Sequence, residues 1–107
     1  MVEARRRELR NYVDEKRHEP FQDWLDDLDS VTRNVIQARL IRVSRGNFGD
    51  CQGVGEGVSE FRIDRGPGFR VYFGQDGDAV ILLTGGTKRT QMKDIATAKN
   101  YWRDYHA

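Results

Sequence analysis

Two arginines, a tyrosine and a lysine recur at strand-like spacing in the middle of the chain, and these residue types suit the grip of a phosphate group. In the run Val58–Asp64, Val58, Phe61 and Ile63 are apolar, while Glu60, Arg62 and Asp64 form the interleaved polar set of a half-buried strand. A Gly66-Pro67-Gly68 turn follows, after which Phe69, Val71 and Phe73 alternate with Arg70, Tyr72 and Gly74. The alternation predicts that Arg62, Arg70 and Tyr72 share one exposed face. If the third strand of this meander pairs beside the second, the loop after it carries Lys88 to the same surface. Arginine presents a planar fork of donors to phosphate oxygens, and fixed cations stabilise the charge that grows on phosphorus as a phosphodiester is attacked.

Such chemistry also needs a proton acceptor. Arginine stays protonated, which leaves Glu60, Asp64, Asp94 or a deprotonated Lys88 as candidates to take a proton from an attacking hydroxyl. Spacing alone does not choose among them.

Other chemistries find less support. Gly53-x-Gly55-x-Gly57 runs into a strand, whereas a dinucleotide-binding fingerprint opens a helix, and Gly85-Gly86-Thr87-Lys88 lacks the spacing of a phosphate-wrapping loop. The two histidines, His18 and His106, lie before the first helix and at the terminus, so a paired-histidine ribonuclease is disfavoured. The one cysteine, Cys51, has no histidine nearby in sequence to activate it. Neither a metal nor a cofactor is expected.

The elements that must position these residues are legible from the pattern. A chain of 107 residues fits a single domain spanning 1–107. The absence of a long apolar run or an apolar leader makes the cytoplasm the expected location, with no membrane partner. Lys plus Arg (18) nearly balances Asp plus Glu (17), so any anion-binding surface must come from local clustering. Clusters exist at Arg5, Arg6, Arg7 and Arg10, at Arg33, Arg39, Arg42 and Arg45, and at Lys88, Arg89 and Lys93.

Leu9 to Val13 reads as a first strand or a short helix. Pro20 opens a helix bearing Phe21, Trp24, Leu25 and Leu28, and Asp29 or Ser30 caps a second with Val35, Ile36, Leu40 and Val43 buried, ended by Gly46-Asn47. Residues 46–57 read as a glycine-rich loop. Strands are expected at 58–65, 69–74 and Ala79–Thr84, the last two joined through Asp76-Gly77, with Val80–Leu83 covered on both faces. Residues 85–89 read as a loop, and Thr90 caps a last helix with Met92, Ile95 and Trp102 on one side. The order describes an α+β domain: an antiparallel sheet built from an N-terminal strand and a three-stranded meander, a helical hairpin and a C-terminal helix, with one sheet face partly open.

Taken together, Gly53–Ile63, Gly66–Phe73, Val80–Lys88, Gln91 with Asp94-Ile95, Tyr101-Trp102 and Gly46–Asp50 resemble the RelE/HigB superfamily of type II toxins. Within it the chain looks like the phage-derived branch called addiction module killer proteins. The resemblance implies a RelE-like fold and a toxin that enters the ribosomal A site and cuts mRNA by attack of a ribose 2′-hydroxyl. Its implied partners are the ribosome, the message and a small antitoxin, in this branch a helix-turn-helix protein that also contacts DNA. It implies that Arg62, Arg70 and Lys88 are active-surface cations. The clusters on Arg33, Arg39, Arg42 and Arg45, with Tyr72, Arg89 and Lys93, are then candidates for RNA and ribosome docking. Two departures stand out: Glu60 where relatives carry a second lysine, and Lys93-Asp94 where some carry a tyrosine. Base and acid roles therefore do not transfer. A gyrase-inhibiting toxin of the same fold, like ParE, and an inactive partner-binding relative are the competing readings.

Overall fold

A computed structural model of the protein describes residues 5–107. Its elements run β1 (Glu8–Asn11), α1 (Pro20–Asp26), α2 (Ser30–Ser44), β2 (Cys51–Gly55), β3 (Val58–Ile63), β4 (Phe69–Asp76), β5 (Ala79–Thr87), a 3₁₀ turn (Lys88–Thr90) and α3 (Gln91–Tyr105). The five strands form one sheet in the order β1-β5-β4-β3-β2. After β1 the helical hairpin carries the chain to the far edge, and the meander walks back until β5 lies beside β1. That pair is parallel, with Leu9 opposite Val80 and Asn11 opposite Leu82, so the sheet is mixed where a purely antiparallel one was expected.

Local chemistry accounts for the helices. Pro20 sits in the first turn of α1, where its missing N–H costs nothing. Of the two capping candidates for α2, Asp29 does the work: its side chain accepts the Thr32 N–H at 3.0 Å. α2 ends at Gly46, which adopts φ +90 and donates its N–H to the Val43 carbonyl. Along its buried stripe Thr32, Ile36, Leu40 and Val43 face inward, while Val35 is only half-buried.

Two stretches read as loops are strands. Cys51–Gly55 pairs antiparallel with β3, joined to it by Glu56-Gly57, both at positive φ as a tight hairpin requires. Its glycines give it no propensity of its own; pairing supplies the order. β5 continues through Gly85 and Gly86 to Thr87 because β4 offers it ladder partners that far, Arg70 lying opposite Gly86 and Phe69 opposite Thr87.

Both faces of the sheet are covered. α1 and α2 bring Phe21, Leu25, Ile36, Leu40 and Val43 against Phe61, Ile63, Phe69, Val71, Phe73, Val80 and Leu82. On the other face α3 lays Ala98 and Trp102 on Val58, Tyr72, Ala79, Ile81 and Leu83, which accounts for the unbroken apolar run in β5. Each large apolar side chain buried in this way contributes roughly 1.5–3 kcal/mol. The face expected to stay partly open is therefore closed over much of its area. Met92, by contrast, points away from the sheet and is 88% exposed, so it is not part of the buried side of α3. No helix among the described residues is long and apolar enough to cross a membrane.

Glycine makes these close approaches possible. A Cβ on Gly85 would stand 2.3 Å from the Trp24 ring, and one on Gly74 would stand 2.6 Å from Trp102. Gly85→Ala is expected to lower unfolding free energy in urea by about 1–3 kcal/mol through overpacking. Gly53→Ala, facing open space, serves as the near-neutral comparison.

The tyrosines set an alkaline limit on stability. Burial pushes the Tyr12, Tyr72 and Tyr101 hydroxyls up in pKa, and a hydrogen bond to Asp76 does the same for Tyr105. The folded state thus holds protons that the unfolded chain releases near pH 10. Unfolding free energy should carry its full tyrosine contribution below that pH and fall as pH rises above it. In an alkaline titration the phenolate absorbance of Tyr12 and Tyr72, the most strongly shifted pair, should appear only together with unfolding.

Candidate phosphate-binding cleft

The strand register assembles the site. Arg62 lies directly opposite Arg70, and Glu60 opposite Tyr72, across the β3–β4 ladder. All four side chains project to the face covered by α3, near the point where that helix begins. There Gln91, in its first turn, reaches back over the sheet.

At the centre is Glu60, wholly buried. Its Oε2 accepts from Arg62 Nε at 2.9 Å and lies 3.8 Å from Arg70 Nε. Gln91 Nε2 donates to Oε1 at 3.0 Å and sits 3.3 Å from Oε2. The hydrogen bond to Glu60 raises the Arg62 pKa further, fixing its charge. Arg70 Nη1 donates to the Gly68 carbonyl at 3.1 Å, and the Lys88 N–H donates to the same oxygen at 2.8 Å, so one turn carbonyl ties β4 to the residue after β5.

Beyond this anchor opens a cleft of about 270 Å³ lined by Asp50, Arg62, Ile63, Asp64, Gly68, Arg70 and Lys88. With Nε of each arginine turned towards Glu60, both Nη atoms of Arg62, Nη2 of Arg70 and Nζ of Lys88 have no hydrogen-bond partner among the described residues. Four donor nitrogens on three cations therefore meet one concave surface, which is the arrangement a phosphate with several charged oxygens can satisfy. No group of three or more His, Cys, Asp or Glu among the described residues is placed to hold a metal ion.

The expected residues divide sharply. Arg62, Arg70, Lys88 and Asp64 come together at the cleft. Glu60 is present but sealed beneath it, as an anchor and not as an exposed strand residue. Tyr72 is fully buried and unable to face RNA; its hydroxyl is pushed up in pKa first by burial and then by the charges of Glu60 and Asp94. Asp94 does not line the cleft. Its carboxylate lies over Gly86, where a Cβ would meet Oδ2 at 1.8 Å, and it accepts a hydrogen bond from the Thr90 hydroxyl.

The cluster of Arg33, Arg39, Arg42 and Arg45, on α2 and just after it, does not form one surface. At 3.6 residues per turn, Arg33 and Arg42 lie on roughly opposite sides of the helix. Arg33 reaches back to the Asp26 carbonyl at 3.3 Å, while Arg42 and Arg45 are exposed. Arg39 is structural: its guanidinium donates to the carbonyls of Arg62 at 2.9 Å, Phe48 at 3.1 Å and Asp50 at 2.8 Å, and lies 5.7 Å from the Phe61 ring centroid. Burial works against its charge, and those carbonyls compensate. Arg89 and Lys93 are exposed beside Met92 at the start of α3.

Asp50 and Gly68 line the cleft without having been singled out as site residues. Gly68 belongs to the recognised turn, but its role as a shared acceptor depends on β5 arriving next to it. Asp50 lies in the stretch read as a loop, and its signal, a glycine-rich segment leading into a hidden edge strand, was visible only as glycine content.

No protein-family model matches the chain. An uncharacterized protein of Haemophilus influenzae is 49% identical to it over 81 residues, covering 74% of this chain and 82% of the other. The chain belongs to the same family as that protein. The identity extends over too much of both chains to reflect a shared motif alone, so the fold described here extends to the relative.

Removing the anchor tests the geometry. Glu60→Ala leaves the nearly buried Arg70 guanidinium without its counter-charge, and loss of one partner of a buried pair costs about 3 kcal/mol or more. Chemical denaturation of Glu60→Ala should show that loss, while Asp64→Ala, at an exposed position, should leave stability nearly unchanged.

Proposed function

We propose that the chain is a toxin of the RelE/HigB kind, an endoribonuclease that cleaves messenger RNA on the ribosome and so stops translation. In this reading it acts in the cytoplasm and is held silent by a cognate antitoxin, a helix-turn-helix protein through which it contacts DNA indirectly. The observation that carries the reading is the convergence of four unengaged donor nitrogens from Arg62, Arg70 and Lys88 on one cleft. The order of elements, with a helical hairpin and a returning meander, agrees with a RelE-like fold.

The cleft suits a scissile phosphodiester. Arg62 and Arg70 sit opposite each other across β3–β4, so the two Nη atoms of Arg62 and Nη2 of Arg70 can address two non-bridging oxygens, and Lys88 supplies a third charge from the rim. Each donor grows in value as charge accumulates on phosphorus in the transition state. The arginines are preorganised by Glu60, so little reorganisation is needed during reaction.

Charge balance favours delivery of the substrate by a large partner. The three cations face the rim carboxylates Asp50 and Asp64 and the buried Glu60, so net attraction for free RNA is weak. A message already held in place by the ribosome removes that demand, since docking elsewhere fixes the strand and the cleft need only stabilise the reaction. Arg42, Arg45, Arg89 and Lys93 are exposed cations available for such docking. A gyrase-binding toxin would have no use for a preorganised pair of guanidinium groups in a cleft.

Induction in a bacterial host, followed by primer extension across a translated message, separates these readings. Cuts dependent on translation are expected, and Arg70→Ala should reduce them by about 10²–10³-fold. Intact message with supercoiling defects would support gyrase inhibition instead. Growth arrest unchanged by Arg62→Ala, Arg70→Ala and Lys88→Ala combined would overturn the catalytic assignment.

A further inference from the structure

Cleavage by a 2′-hydroxyl needs a group that takes its proton, and the structure removes most candidates. Glu60 has no solvent exposure and is already surrounded by donors. Asp94 lies over Gly86 outside the cleft lining. Two acidic residues, Asp50 and Asp64, line the cleft. Neither side chain makes an ion pair or a hydrogen bond among the described residues.

Backbone support distinguishes the two. The Asp50 carbonyl accepts the Arg62 N–H at 2.9 Å and Arg39 Nη2 at 2.8 Å, so the residue is fastened to β3 and α2 together. Gly49 before it holds φ +63, and a Cβ there would come within 3.0 Å of Arg39 Nη2, which fixes the approach of the chain. Asp64, at the start of the turn after β3, has no comparable tether; the next N–H, of Arg65, turns back to Ile63. A general base works from a fixed position beside the reacting group.

We propose that Asp50 is the catalytic general base of the cleft, its carboxylate receiving the proton of the attacking ribose 2′-hydroxyl while Arg62, Arg70 and Lys88 hold the phosphate. The inference rests on the endoribonuclease reading above. In the step, the O2′–H bond breaks towards an Asp50 Oδ, the O2′–P bond forms and the P–O5′ bond breaks. The departing O5′ keeps its electron pair and takes a proton from water, giving a 2′,3′-cyclic phosphate and a 5′-hydroxyl. Arg39 is a positioning residue, acting through the Asp50 and Arg62 backbones.

The charged groups around Asp50 are Arg62 from β3, Arg70 from β4, Lys88 from the 3₁₀ turn, Asp64 from the turn after β3 and Arg39 from α2, with the Cys51 thiol adjacent in sequence. The test is cleavage of a defined message on purified ribosomes by the full chain across pH, comparing wild type with Asp50→Asn, Asp50→Glu and Asp64→Asn. Asp50→Asn should lower kcat by about 10²–10⁴-fold with KM changed by no more than about twofold, and the acid limb of the pH–rate profile should disappear. Asp50→Glu should recover part of the rate and restore the limb. An Asp50→Asn variant that keeps both rate and acid limb, or an Asp64→Asn variant that loses the limb, overturns the assignment. A wild type that cuts no message overturns the endoribonuclease reading itself, and the base assignment with it, whereas an active wild type with an unaffected Asp50→Asn refutes the base alone.

Discussion

A carboxylate cut off from water must find its partners in the protein, and Glu60 draws them from three elements: hydrogen bonds from Arg62 on its own strand β3 and from Gln91 at the start of α3, and the nearby positive charge of Arg70 on β4. The penalty for burying an unpaired charge runs to several kcal/mol. That makes the position of α3 over the sheet, the β3–β4 register and the rotamers of both arginines conditions on one another. Displacing any of them strands a charge. The same arrangement turns Nε of each guanidinium inward and leaves both Nη atoms of Arg62 and Nη2 of Arg70 for the cleft. Stability and site geometry therefore rest on a single interaction.

Around it the sheet is held by close approaches that only glycine allows. Gly86 admits the Asp94 carboxylate, Gly85 admits Trp24 and Gly74 admits Trp102. These contacts bring a helix from each side onto β4 and β5, so the two layers of core meet the strands at fixed heights. Arg39 plays the corresponding part at the far edge, where its guanidinium gathers the carbonyls of Phe48, Asp50 and Arg62 and stiffens a stretch that has few apolar anchors. The outer wall of the cleft is thus set by a helix that contributes nothing to its lining.

Comparison with the Haemophilus influenzae relative places the chain in a family without supplying a chemistry. Chemistry comes from the cleft, in which cations and carboxylates are nearly balanced. A site of that kind is suited to stabilising a transient charge on a substrate already delivered, more than to capturing a free polyanion. Under the endoribonuclease proposal, the nearly neutral net charge is met by concentrating positive groups at the cleft and leaving docking to scattered surface cations.

The sequence by itself determined the α+β order, the helical hairpin with its proline start and glycine stop, the alternation of β3 and β4 and, through the tight turn between them, the placing of Arg62 and Arg70 on one face. Each of these depends on residues within a few positions of one another, where periodicity and turn chemistry act. Only the tertiary structure decided that β1 runs parallel to β5, that the glycine-rich stretch hides β2, that Arg39 is a clamp, that Tyr72 and Glu60 are sealed and that Asp50 borders the cleft. Burial of a strand face depends on what packs over it, and α3 lies more than twenty-five residues from Glu60 in the chain. A period of two marks which side chains share a face, but the identity of the layer above that face is a long-range fact, and it turned an expected row of exposed polar groups into one buried anchor beside a half-exposed Arg62 and a nearly buried Arg70.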